Sequence, residues 1–548
     1  MKKKSIILML ALTSLFVSCN DAIDITQDGQ VTNPQDVFRT PTDIERGVFG
    51  IYSFLPGETQ IDFDSVFTDE VAIGVANGGQ GLSDGSYNYF MEAGNSYALS
   101  FWTSYYGVIN RVNRMIASTD ELLEQIQGVN TTEANANRKR LNKSKGELFA
   151  LRAYANFKLF SYFTPDYTNP SGLSIMKLDF LQTDDYSKMI GRSTVKEIQD
   201  FIIEDLDKST TLFSEAAVPL GDYNYINQGV IDAIKTKLYS MVGDYDKVIT
   251  YGEAVLANPS YNLANATQYS SYFNDADITR EVIFQLKRVR GNASVASAWY
   301  SVNVSATGSA FFEMGRSLYN ALDKLDPTKT GLAYQTSSGT VNTRADVRYT
   351  VNVLEGSTVA TNYESLNQSD YQQKDVLLIG KYKGRRSQSL PLQNNIPIFR
   401  SADIYLAIAE ARAAKGQLVS SVTDMEDLLI PGQETATVEN ILFTLKYNRV
   451  TDISILSRPD ITNAQSAWKA ILDERRVEFA YEGHRYLDMK RLGAKAGVAG
   501  FERYSKDCAI NSSCGNSPVP TGHKMTLPIP TREINANTAI KGQQNPGY

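Results

Sequence analysis

Residues able to do chemistry are densest between Glu474 and Arg491, where Glu474, Arg475, Arg476, Glu478, His484, Arg485, Asp488 and Arg491 supply carboxylates, guanidinium groups and an imidazole. Carboxylates beside an imidazole suit general acid–base work, and two carboxylates facing one cleft would suit glycoside hydrolysis. The spacing points to architecture instead. On a helix Glu474 and Glu478 share one face, while Arg475 and Arg476 can reach neighbouring helices as bidentate forks. Ion-pair networks of this kind imitate active sites, so we read the cluster as structural and assign no catalytic residue. The sequence contains only two histidines, His484 and His523, which leaves little material for a His-based zinc site or a Ser-His-Asp relay.

A different chemistry, recognition without reaction, is written between Val75 and Tyr106. There Tyr87, Asn88, Tyr89, Phe90 and Tyr97 stand among Gly78, Gly79, Gly81 and Gly85. A sugar ring offers an apolar face to an aromatic plane and a rim of hydroxyls to amides such as Asn88. Each ring here either meets a ligand or anchors a long loop. Trp299 and Tyr300, followed by Phe311 and Phe312, form a second aromatic cluster among Ser, Asn and Gly, outside any helical period. The plainer alternative is a satellite hydrophobic cluster under a loop. Trp102, in step with Tyr105 and Tyr106, reads as core. Asp62, Asp64, Asp69 and Glu70 could offer hard oxygens to Ca²⁺, yet no EF-hand spacing is present and a solvated acidic face is expected. No metal or other cofactor is assigned.

The elements that must position these residues belong to a folded, exported body. Hydrophobic residues make up 42% and charged residues 21% of 548, ordinary globular usage with room for more than one domain. The net charge of −7 and the lack of a dense basic stripe exclude nucleic acid as a partner. Lys2, Lys3 and Lys4 precede an apolar run from Ile6 to Val17. That run suits a signal peptide over residues 1–18 and is too short to span a bilayer. Ser18-Cys19 at its end resembles the lipobox of bacterial lipoproteins, with Phe16 where that motif favours Leu, so Cys19 is the expected lipidation site. Asn20, Asp21 and Asp24 resemble the surface-export signal of Bacteroidetes lipoproteins, and residues 19–35 read as a tether. Cys508 and Cys514 lie in a Ser/Asn/Gly-rich loop of an exported chain and are expected to pair as a disulfide.

Beyond the tether, helical periodicity dominates. Thr42-Asp43 caps a series Ile44, Val48, Ile51, Tyr52 and Leu55, and a second helix runs from Leu99 to Ala117. Ser144-x-x-Glu147 and Thr194-x-x-Glu197 have the form of capping boxes that open two more helices. Residues 229–258 read as helix, turn at Gly243-Asp244, helix, loosely like a tetratricopeptide pair. From Tyr261 to Arg400 the texture changes to short β-prone pieces. Helices return over Ala402–Lys415 and Ala464–Tyr481, each stopped by a glycine.

Five ordered matches carry a family resemblance over nearly the whole mature chain. They begin with Trp102, Tyr105-Tyr106, Asn110-Arg111 and Asn113, and continue with Leu151-Arg152-Ala153-Tyr154 and with Pro397–Arg400 leading into Asp403-Ile404-Tyr405-Leu406 and Ala409-Glu410-Ala411. Asp473–Phe479 with Glu482–Gly493 comes next, and then Leu527–Pro530, Glu533-Ile534, Asn537 and Gln544–Tyr548. The pattern resembles the SusD/RagB family of outer-membrane nutrient-binding lipoproteins. The resemblance implies a mainly α fold with tetratricopeptide-like helix pairs plus an irregular loop-rich lobe with short strands, divided here into 36–260 and 261–548. It implies a non-catalytic, lipid-anchored protein at the cell surface that delivers oligosaccharides, or peptides as in the RagB branch, to a SusC-like TonB-dependent transporter. The expected ligand contacts are Tyr87, Asn88, Tyr89, Phe90, Tyr97, Trp299 and Tyr300. A surface polysaccharide hydrolase and a helical scaffold without a small ligand are the competing classes.

Overall fold

The computed structural model describes residues 37–548 except 80, 84, 181–188, 274–279, 290–291, 293, 300–309, 329–333, 337–338, 342–343, 383, 386–389, 392–393 and 509–516. Cys19, Tyr300 and Cys514 thus lie outside the described residues. Helix α1 (Pro41–Ser53) starts at Thr40, whose side chain accepts from Asp43 N while Asp43 bonds back, a reciprocal box two residues earlier than expected. After α2 (Gly57–Phe67) and strand β1 (Val71–Ile73) comes α3 (Ser96–Gln125), opened by Asn95, whose Oδ1 accepts from the N–H groups of Tyr97 and Ala98.

Helix α4 (Thr132–Phe163) corrects one expectation, because Thr131 caps it and Ser144 and Glu147 sit buried in its middle. The residues before Ser144 include Ala, Arg, Lys and a Leu, which favour a helix enough to carry it through three asparagines, so the Ser-x-x-Glu pattern marks no boundary. Glu147 instead accepts the hydroxyl of Tyr52 from α1 at 2.8 Å. Helix α5 (Val195–Ala216) does begin at the Thr194 box. Helices α6 (Gln228–Val242) and α7 (Tyr245–Leu256) are joined at Gly243, which takes φ +83° to make the tight turn, and Asp244 caps α7.

Strands are few and short. β2 (Val282–Leu286) pairs antiparallel with β4 (Ile396–Arg400) through a bulged register, and β1 pairs antiparallel with β3 (Phe312–Met314). Past β4 run α8 (Ser401–Ala414), α9 (Val438–Tyr447), α10 (Ala464–Glu478) and α11 (Arg485–Leu492). The packing order α3–α4–α5, then α6–α7–α8, with α9 and α10 on α8, forms antiparallel helix pairs around one apolar core that takes residues from Ile44 to Ile540. Among the described residues no helix is long and apolar enough to cross a membrane.

Inside that core lies the charged cluster of residues 474–491, and it is a network of ion pairs. Glu478, fully buried at the end of α10, accepts from Arg449 and Arg400 and lies 3.5 Å from Arg348. Arg400 and Arg449 also share Glu281 beside β2, and Arg400 and Lys381 share Glu482. A second group joins α6, α8, α10 and α11. There Asp403 takes Lys237 at 2.6 Å and Arg475 at 2.8 Å, while Arg491 bridges Glu410 and Asp488. Burial alone would raise the Glu478 carboxyl, yet Arg449 and Arg400 hold it well below the usual range. Burial pushes the His484 imidazolium down to about 4, which favours the neutral ring at pH 7.

Such networks add little net stability over apolar packing, but removing one partner strands the others without water. Glu478→Ala leaves three guanidinium groups short of a carboxylate and should lower the unfolding free energy by about 3–5 kcal/mol. Urea denaturation of the variant and the parent protein measures this, and a loss below about 1 kcal/mol would contradict the role given to Glu478.

Candidate functional site

Strands β1 and β3 meet with Val71 opposite Met314 and Ile73 opposite Phe312. Their pairing joins the two regions singled out from the sequence, the tract from Val75 to Tyr106 and the cluster that includes Trp299, Phe311 and Phe312. Gly74 N and Asn77 Nδ2 both donate to the Phe311 carbonyl, the latter at 2.8 Å, and Phe311 N donates to the Trp299 carbonyl. Gly74 has to be glycine, because a Cβ there would lie 2.3 Å from the Ala310 carbonyl oxygen.

The individual rings fall into two groups. Tyr87, Tyr89 and Trp299 are no more than 1% exposed, which corrects their assignment as ligand contacts: they are the roots of the loops. The Arg503 guanidinium lies 4.0 Å from the Tyr87 ring centroid and 4.5 Å from that of Tyr89, Tyr87 donates its hydroxyl to the Asp507 carbonyl, and Tyr89 stacks on Phe501. Trp299 packs edge-on against Tyr481 and tilted against Tyr382. The sequence could not separate root from tip, since burial here depends on Arg503 and Tyr481, hundreds of residues away.

Phe90 is 52% exposed and presents its ring to solvent. Tyr89 adopts φ +57° immediately before it, and Gly85 adopts φ +74° with the Phe90 Cβ 2.9 Å from where a side chain would begin. The left-handed pair therefore turns the loop so that Tyr89 goes in and Phe90 goes out. Asn88 and Tyr97 are half-buried, and Tyr97 donates to Asp62 at 2.8 Å. Val75, 61% exposed, and half-buried Leu82 and Phe311 complete the outer surface of the joined loops.

Beneath this surface, segment 503–508 ties distant parts together. Arg503 donates to the carbonyls of Tyr87 and Thr68, Asp507 accepts from Tyr371 Oη at 2.6 Å and from Arg316 N at 2.9 Å, and Cys508 is disulfide-bonded. Lys506 Nζ donates to the carbonyls of Tyr363, Glu364 and Leu366 at 2.6–2.8 Å. The segment thereby sets the half-buried rings of Tyr363 and Tyr504 face to edge, 5.4 Å apart. No local pattern marks either tyrosine, because Tyr363 and Tyr504 are brought together only by the fold.

The acidic stretch is not the solvated face expected. Asp64, Asp69 and Glu70 are at most 1% exposed, with Asp69 gripped by Arg485 and Arg476, Asp64 accepting from Tyr486 N and Glu70 from Tyr481 N. Asp64 Oδ1, Asp69 and Glu70 accept from protein donors, while Asp64 Oδ2 is buried without a hydrogen-bond partner; among the described residues no group of side chains is arranged to hold a metal ion. On β3, opposite Ala72, Glu313 is a buried carboxyl with backbone N–H partners, and burial pushes it up to about 8.

Comparison with known proteins agrees with this architecture. The sequence profile of the SusD family matches residues 280–548, and a profile described as starch-binding associating with outer membrane matches residues 32–222. Two SusD-like proteins of Formosa agariphila are each 22% identical, one over 73% of both chains and the other over the full length of both. Among solved structures, a SusD superfamily protein from Bacteroides thetaiotaomicron superposes with a TM-score of 0.68 at 22% identity, covering 92% of this chain and 100% of that one. A SusD-like carbohydrate binding protein from Bacteroides vulgatus gives 0.63 at 16% identity, covering 92% and 98%.

The raised carboxyl of Glu313 makes stability depend on pH in a stated direction. Between its ordinary 4.5 and about 8 the folded protein holds a proton that the unfolded chain releases. The contribution is therefore complete at low pH and lost as pH rises through 8. In thermal melts the parent should lose ground to Glu313→Gln as pH goes from about 5 to about 9; parallel melting curves across that range would refute the buried neutral carboxyl.

Proposed function

Since the chain belongs to the SusD/RagB family, we propose that it is a lipid-anchored, cell-surface protein that binds oligosaccharides and passes them to a SusC-like TonB-dependent transporter in the outer membrane. The observation that carries the ligand reading is the surface made where β1 and β3 join two loops, with Phe90 held outward by left-handed Tyr89 and half-buried Asn88 beside it. A flat ring next to an amide suits a sugar's apolar face and hydroxyl rim. No chemical step is assigned to this surface, where Asp62 accepts from Tyr97 and Glu313 from the Val75 N–H. The descriptions of one matching profile and of the B. vulgatus neighbour support a carbohydrate ligand. Anchorage rests on Cys19, and the transporter partner rests on family membership.

Peptide capture, the RagB-like alternative, has one observation in its favour. All three tryptophans are buried, with Trp102 2%, Trp299 0% and Trp468 7% exposed, so among the described residues no indole offers a stacking face.

Binding assays against a panel of soluble polysaccharides test the main reading, and Phe90→Ala should weaken the positive interaction about three- to tenfold, the range of one aromatic contact. Native mass spectrometry of protein taken from its own membrane separates hexose oligomers from peptides; peptide masses alone would overturn the glycan assignment. Replacing Cys19 by Ala should move the protein from the membrane fraction to the soluble fraction.

A further inference from the structure

Tyr363 and Tyr504 form a ring pair that is built rather than merely left at the surface. One face of Tyr363 is covered by the Arg316 guanidinium, 3.6 Å from its centroid, and Arg316 is itself fixed to Asp375 at 2.6 Å and to Asn320 at 3.1 Å. Asn320 Nδ2 donates to the Tyr363 hydroxyl, which in turn donates to Glu364, both at 3.2 Å. The backbone under the pair is gripped by Lys506, and Gln368 Nε2 donates to the Lys506 carbonyl at 2.8 Å. Tyr504 packs against both Tyr363 and buried Tyr371. Exposed Asn362 and Glu364 border the rings.

We propose that Tyr363 and Tyr504, bordered by Asn362 and Glu364, are a second sugar-binding subsite, which rests on the glycan reading of the Phe90 surface and extends it. Rings held in place lose little freedom on binding, so the contact is gained at low entropic cost. An amide and a carboxylate at their edge match vicinal hydroxyls, the pattern of polar groups that glycans present and apolar peptides lack. The subsite is mechanically continuous with the first. Arg503, next to Tyr504, lies over Tyr87 and Tyr89 at the root of the loop that carries Phe90, so one rigid segment sets the position of both patches. Two patches on a single support favour a ligand long enough to touch each, and the gain grows with chain length until the span is reached.

The test compares the parent protein, Tyr504→Ala, Tyr504→Phe and Phe90→Ala for affinity toward a size series of oligosaccharides from a polysaccharide that the parent binds, with melting temperatures recorded alongside. Tyr504→Ala should leave short oligosaccharides within about twofold of the parent and weaken long ones about three- to tenfold, Tyr504→Phe should keep most of the affinity, and the melting temperature should stay close to that of the parent. If Phe90→Ala weakens binding while Tyr504→Ala matches the parent at every length, the second subsite is wrong and the first stands. Equal losses at all lengths that track a fall in melting temperature would reduce Tyr504 to a packing role and also overturn the proposal. A parent that binds peptides and no glycan removes both subsites together.

Discussion

Charged groups taken out of water must find opposite charges inside the protein, and in this chain that requirement organises everything else. Glu478 lies where a strand end, a loop after α9 and the end of α10 converge, and the arginines that surround it come from three separate stretches of sequence. No one of these stretches can move far without leaving a guanidinium or a carboxylate unpaired at a cost of several kcal/mol. The network ties these stretches to one another, since sliding any of them would part a carboxylate from its guanidinium partners. Asp403, Arg475 and Arg491 do the same for α6, α8, α10 and α11.

The proposed recognition surface is assembled on this fixed frame by smaller devices. Asp69, buried under Arg485 and Arg476, anchors the stretch just before β1, and β1 in turn carries β3 and brings two remote loops to one place. Aromatic residues then divide by depth: Tyr87, Tyr89 and Trp299 fill the base, and Phe90 remains at the tip. The division follows from backbone geometry, since the left-handed residues Gly85 and Tyr89 reverse the direction in which successive side chains point. Rigid base and outward tip both follow from this geometry, and together they form the surface proposed to meet a ligand.

The sequence made much of this legible and concealed the rest for physical reasons. Helices with clear caps, such as that at Thr194, and the turn at Gly243 were readable because the deciding contacts lie within four residues. The charged run from Glu474 to Arg491 was recognisable as structural because its spacing suits helix-to-helix bridges. What stayed hidden depended on partners far along the chain. Ser144 looked like a cap, yet α4 continues through it; the acids near Asp64 looked solvated, yet their partners lie around residue 480. Tyr87, Asn88, Tyr89 and Phe90 looked equivalent, and only Arg503 and Phe501 tell them apart. Tyr363 and Tyr504 are 141 positions apart in number, a separation that no local pattern bridges.

The three carbonyl oxygens around Lys506 resemble the shell that a calcium-binding loop would offer to its ion, with an ammonium in the ion's place. A cation that is covalently part of the chain cannot be chelated, diluted away or exchanged. The ring pair it supports thereby keeps its order whatever ions the medium holds, since that order comes with the fold itself.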